Sequence, residues 1–149
     1  MDSMRAQPKI LEDRLFSRLS WDEESQWWEG IVLAGQAEAY TISVQPRSAD
    51  DRTISEEACR IYAEVGRDLE GVRRRALQDF INQTRKYPFY HALTFERLDV
   101  VMRPGHILVR SDGYLEVGFI DPEGIIFGGG HLIVSRFWPS GTREVGLDG

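Results

Sequence analysis

A change of rhythm in the middle of the chain constrains its fold more than any other feature. Between residues 58 and 81, apolar side chains recur as Ala58, Ile61, Tyr62, Val65, Leu69, Val72, Ala76, Phe80 and Ile81, the spacing of a helix with one buried face. On both sides the text turns to short runs of β-branched and aromatic residues broken by polar or glycine-containing stretches, the pattern of strands and turns. As one rod, residues 55–86 would reach roughly 48 Å at 1.5 Å per residue, longer than a domain of this length is wide. Gly66 and Gly71 offer break points, so two packed helices are expected. Thr53 with Glu56 makes a capping box at the start, Ser55 is a rival N-cap, and Pro88 in "KYPFYHALT" ends the helical region.

The flanks sort into hairpins. Ahead of the helices stand "LFSRLSWD", "QWWEGIVL" and "AEAYTISVQ", separated by "EES" and "AGQ", which is a meander. A two-residue turn at Glu23 and Glu24 would place Arg18 opposite Glu29, Leu19 opposite Trp28 and Leu15 opposite Val32. A three-residue turn would instead pair Trp21 with Trp27, and in either register some tryptophans lie on the less buried face. Behind the helices, "HILVRSDGYLEVGFI" carries Asp112-Gly113, the strongest hairpin dipeptide in the chain. "DPEG" at 121–124 reads as a second turn, "IIFGGGHLIVSRF" as the returning strand, and "TREVGLDG" as one more short strand. The expected fold is α+β: an antiparallel meander, two helices, then a second antiparallel hairpin or meander completing a sheet with helices packed on one face. Residues 1–10 read as a flexible N-terminal end and residues 11–149 as one domain.

Charge narrows the partners. The 149 residues carry a formal charge of −6, which disfavours nucleic acid and favours solubility or a basic protein partner. The basic run at 73–75 is balanced on a helix, with Glu70 four residues before Arg74 and Asp79 four after Arg75. No run approaches the roughly 20 apolar residues of a membrane helix, and "MDSMRAQPKI" lacks the apolar core of a secretion signal. Cys59 is the only cysteine, so no internal disulfide forms; a cytoplasmic location is expected. Inside a helix, with no His or Lys nearby to lower its pKa, Cys59 reads as a buried, inert thiol.

Catalytic signatures are sparse. His91, His106 and His131 form neither a metal-binding helix pair nor a Cys/His array, and no metal or cofactor is implied. "GGGH" lacks the lysine of a phosphate loop and runs into a strand. A general acid/base pair of His131 with Asp121 or Glu123 is conceivable. The structural alternative takes "DPEG" as a tight turn that pairs Ile120 with Ile125. Gly128, Gly129 and Gly130 then face Val117, Glu116 and Leu115, and His131 faces Tyr114. Three glycines inside a strand would admit a close neighbour such as a tryptophan of the meander. The hairpin "SWDEESQWWEG" alternates tryptophan with carboxylates; it is either core tryptophans beside a soluble turn, or a recognition edge.

The early "WWEG" meander, the acidic-start helices and the late "SDGYLEVGFIDPEGIIFGGGHLIVSRF" together resemble the bacterial family described as domain of unknown function 2262, over most of residues 12–149. That family tends to place an aromatic residue before its glycine-histidine pair, where this chain has Gly128 and Gly129. The resemblance implies a small acidic protein of the kind encoded beside bacterial toxins, an immunity protein that inhibits stoichiometrically. Its candidate contact residues here are Trp21, Asp22, Glu23, Glu24 and Trp27. Two other classes stand beside it: a small enzyme using His131, and a homo-oligomeric accessory module.

Overall fold

The computed structural model describes residues 7–33, 38–128 and 130–148. Residues 1–6 of the loose end expected at 1–10, the "AGQ" break at 34–36 and Gly129 lie outside these residues. Among the described residues, eight strands form one sheet in sequence order: β1 (Ile10–Asp13), β2 (Ser17–Asp22), β3 (Trp27–Leu33), β4 (Ala39–Val44), β5 (Arg103–Val109), β6 (Leu115–Ile120), β7 (Leu132–Phe137) and β8 (Arg143–Asp148). Every neighbouring pair is antiparallel except β4 and β5, which run parallel. That exception has a topological cause: a tight turn reverses the chain, whereas a helical crossover returns it in the same direction. The α+β architecture therefore stands, with two meanders joined side by side.

One rung shows where the core sits. Leu19, Gly30, Ile42, Ile107, Val117, Ser135 and Val145 are successive partners across β2 to β8. All but Gly30 are buried. Gly30 is bare because a Cβ there would stand 2.7 Å from Leu19 Cδ2 and 2.9 Å from the Arg18 carbonyl oxygen. Helices α1 (Glu56–Val65) and α2 (Leu69–Thr84) cover this face, α1 against β6 and α2 against β7 and β8. The opposite face carries a polar row in which Ser43 Oγ donates to Glu29 at 2.6 Å and Arg136 bonds Asp148 at 2.6 and 2.7 Å.

The helical stretch breaks where glycine allows it. A 3₁₀ turn, Gly66–Asp68, separates α1 from α2, and the Asp68 side chain caps α2 by accepting the Gly71 N–H at 3.0 Å. Ser55, not Thr53, caps α1: its Oγ accepts the Ala58 N–H at 3.0 Å and donates to the Ser111 carbonyl at 2.7 Å. Thr53 instead binds Asp51 in the preceding loop. A third helix, α3 (Phe95–Val101), was not expected; Thr94 caps it, and at seven residues it is too short to display a period. Arg73 joins it to α2, bonding Glu70 at 2.8 Å, the Asp99 carboxylate and the Met102 carbonyl at 3.1 Å. The expected i,i+4 pairs are absent among the described residues, because Glu70 and Asp79 are taken by Arg73 and Arg143.

The glycine-rich stretch is corrected most. Asp121–Gly124 does turn, the Gly124 N–H reaching the Asp121 carbonyl at 3.1 Å, but Ile120 pairs with Leu132 rather than Ile125. Gly128, Gly130 and His131 therefore lie in a connecting loop, and Val117, Glu116 and Leu115 face Ser135, Arg136 and Phe137. Gly128 and Gly130 have φ of 64° and 89°, and an added Cβ at either would meet nothing within 4 Å. Their bare backbone serves left-handed turns, not a close neighbour. Tyr114 packs on Trp138 instead of His131, with ring centroids 5.4 Å apart.

Candidate functional site

The β2–β3 hairpin closes on Asp22 opposite Trp27, one step beyond the register of a three-residue turn and two beyond that of a two-residue turn. The connecting turn is four residues long, so Leu19 faces Gly30, Trp21 faces Trp28, and Ser20 rather than Arg18 lies opposite Glu29. The tip is fastened by its own polar groups. The Gln26 N–H donates to the Asp22 carbonyl at 2.8 Å, the Glu24 N–H to Asp22 Oδ1 at 3.2 Å, and Gln26 Nε2 to the Glu23 carbonyl at 2.8 Å. Gln26 takes φ of 61°, which closes the loop. The Ser25 hydroxyl, then the Glu24 N–H, hold the Asp22 carboxyl below the usual carboxylate range, so it stays ionised. Glu23 and Glu24 are exposed and have no cationic partner among the described residues.

The tryptophans divide between the two faces. Trp28 is 1% and Trp21 8% exposed, and they meet edge to face at 5.1 Å beneath the helices. Trp28 Nε1 donates to the Arg52 carbonyl at 2.7 Å, and the Arg52 guanidinium lies 4.0 Å from the Trp21 ring centroid. Trp21 is thus a core residue and leaves the contact set proposed from sequence. Trp27 points to the helix-free face and is half-exposed beside the carboxylates. The core reading holds for Trp21 and Trp28, while Trp27 and the tip carboxylates stand at the surface.

The residues of the enzymatic alternative do not converge. Asp121 is only 6% exposed, and its carboxylate accepts the N–H groups of Ile125 at 3.0 Å, Ile126 at 2.7 Å and Phe127 at 3.0 Å. Burial alone would raise its pKa; the backbone donors outweigh it and hold the carboxyl below the usual range. Glu123 and His131 are exposed, and among the described residues neither Asp121 nor Glu123 hydrogen-bonds His131. His106, weighed in the sequence only as one of three histidines that make no metal motif, stands on the helix-free face with Nδ1 2.6 Å from Thr41 Oγ1. Burial lowers its pKa against the opposing pull of Glu29 and Glu116. Cys59 is half-buried, its thiol pushed up by burial and by Asp13. Among the described residues no group of three His, Cys, Asp or Glu is arranged to hold a metal ion, and no helix is long and apolar enough to cross a membrane. In comparisons with known proteins, the chain matches no family model, no curated protein and no solved structure.

Proposed function

We propose that this chain is a non-catalytic protein-binding domain, an immunity-type inhibitor that neutralises a basic toxin in the bacterial cytoplasm by covering its surface. The observation that carries this reading is the hairpin tip. Three consecutive carboxylates, Asp22 to Glu24, stand on a hydrogen-bonded turn beside half-exposed Trp27, with no cation paired to the two glutamates among the described residues. A rigid tip loses little conformational entropy on binding, and unneutralised charge keeps its field for a partner. The carboxylates speed encounter with a cationic surface, while Trp27, once desolvated, slows departure. Similarity to the immunity-like family named above supplies the toxin as the partner.

The test is binding of the purified chain to the product of the adjoining gene, measured by surface plasmon resonance. The Glu23→Lys/Glu24→Lys variant is expected to lose roughly tenfold or more in association rate, with Trp27→Ala raising the dissociation rate. Unchanged rates in charge-reversed protein that melts like the parent would defeat the assignment of the tip.

A further inference from the structure

A second surface stands at the other end of the strands. Phe89 is 82% exposed, Tyr87 51% and Ile125 52%. Phe89 lies on a 3₁₀ turn, Pro88–Tyr90, between α2 and α3, and the turn is not loose. Pro88 presets its backbone, the Tyr90 N–H reaches the Tyr87 carbonyl at 3.0 Å, and the Leu93 N–H reaches the Tyr90 carbonyl at 3.0 Å. Ring contacts continue inward: Phe89 to Tyr90 at 5.0 Å, Tyr90 to Phe80 at 5.7 Å, Phe80 to Phe127 at 5.7 Å. An exposed phenylalanine anchored to the core in this way is a fixed knob. Grooves of about 670 Å³ and 130 Å³ flank it, the larger walled by Ile81, Tyr90 and Arg85, the smaller by Leu93, Ile125 and Arg97.

The cations around it are uncommitted. Arg85, Lys86 and Arg97 are exposed and form no ion pair among the described residues, in a chain whose formal charge is −6. Sheet register separates this surface from the acidic tip. Trp28, Val44, Val109, Leu115 and Phe137 align at the tip's end, whereas Ile120 and Leu132 mark the opposite end, from which the loop bearing Ile125 departs.

We infer that this basic-aromatic end docks an acidic polypeptide segment of a partner protein. An apolar side chain of the segment seats beside Phe89, and its carboxylates meet Arg85, Lys86 and Arg97. Charge decides among anionic partners. A bilayer or a long polyanion senses the whole molecule within a Debye length of roughly 8 Å, and there the net negative charge opposes binding. A short peptide senses only the local cations. The exposed guanidinium forks of Arg85 and Arg97 match discrete carboxylates bidentately.

Backbone amide NMR of the full chain tests this with the acidic peptide EDLEEFDE at millimolar concentration. Saturable shifts are expected at Tyr87, Phe89, His91 and Ile125, absent with the basic peptide KRLKKFKR. Phe89→Ala is expected to weaken binding roughly tenfold without changing the melting temperature, because the ring is exposed. Lys86→Glu/Arg97→Glu is expected to abolish binding. Any of four results overturns the inference: no shifts at this end, equal shifts with an oligothymidylate, equal shifts with phosphatidylglycerol vesicles, or concentration-dependent shifts with no peptide, which would mark a self-contact. Since the toxin-binding test reads the opposite end, either reading can fail alone.

Discussion

At Asp121 a carboxylate is withdrawn from water and surrounded by backbone donors, which turns a conspicuous acid into the anchor of a loop. Its three N–H partners belong to consecutive residues, Ile125 to Phe127, and Phe127 in turn fills the core against Phe80. Removing the acceptor strands those donors, so Asp121→Ala is expected to cost about 2–3 kcal/mol in urea unfolding. The sign with pH follows from the lowered pKa. A carboxyl that binds its proton less readily when folded stabilises fully above its unfolded value, and that contribution drains away as pH falls through the folded value. Wild-type stability should therefore drop in acid more steeply than that of Asp121→Asn, and parallel pH profiles would show that the loop does not depend on the charge. In the sequence, Asp121 drew notice for its nearness to His131, and the three glycines for their lack of side chains. Both features were visible; their uses were not. An Asp met by the N–H groups of the three residues four to six positions on has no distinctive composition, and glycine reads alike whether it serves a left-handed turn, as at Gly128, or a close approach, as at Gly30.

Among elements, legibility followed length and turn chemistry. The long amphipathic stretch announced α1 and α2, broken at Gly66, one of the two glycines that offered a break, and Asp112-Gly113 announced the β5–β6 hairpin, with Gly113 at φ of 93°. Helix α3 was hidden because one face of seven residues holds only two buried side chains, Leu98 and Val101. The β2–β3 register was missed because two-, three- and four-residue turns each set tryptophans against apolar partners; tertiary packing of Trp21 on Trp28 chose among them. What secures α3 is equally invisible in sequence. Arg73, a member of an ordinary-looking basic run, is buried and shared between Glu70 on its own helix and Asp99 and Met102 beyond it. Truncating it leaves the buried Met102 carbonyl without this donor and the Asp99 carboxylate with Arg74 alone, at 3.3 Å, so Arg73→Ala is expected to lower stability by about 3 kcal/mol. Arg73→Lys should recover less than half of this, because a single ammonium cannot span partners that a guanidinium fork reaches together. Full recovery by lysine in urea titrations would mean that charge alone, not the fork, holds the two helices.

For the whole molecule, the parallel seam between β4 and β5 decides whether two meanders behave as one body. Thr41 to Val44 lie beside His106 to Val109, and these strands are joined through the helices rather than by a turn, so their pairing closes the longest loop in the sheet. Contacts of that kind form late and reward the chain only when the helices are already in place. Ile42 and Ile107 meet at the seam with no exposed surface, under the face that α1 and α2 cover. β1 and β8, by contrast, are edge strands, each paired on one side only. Native-state hydrogen exchange should report this directly. Amides of β4 and β5 are expected to exchange only through global unfolding, with an opening free energy equal to that from urea, while Leu11 and Leu147 exchange orders of magnitude faster through local fraying. A different pattern would reverse the account: if β1–β4 and β5–β8 showed separate ceilings, the seam would be the weakest contact of the sheet. The two ends proposed as binding surfaces would then sit on independently opening halves, the tip on the first meander and the loop beside Phe89 on the second, and occupancy of one would no longer steady the other.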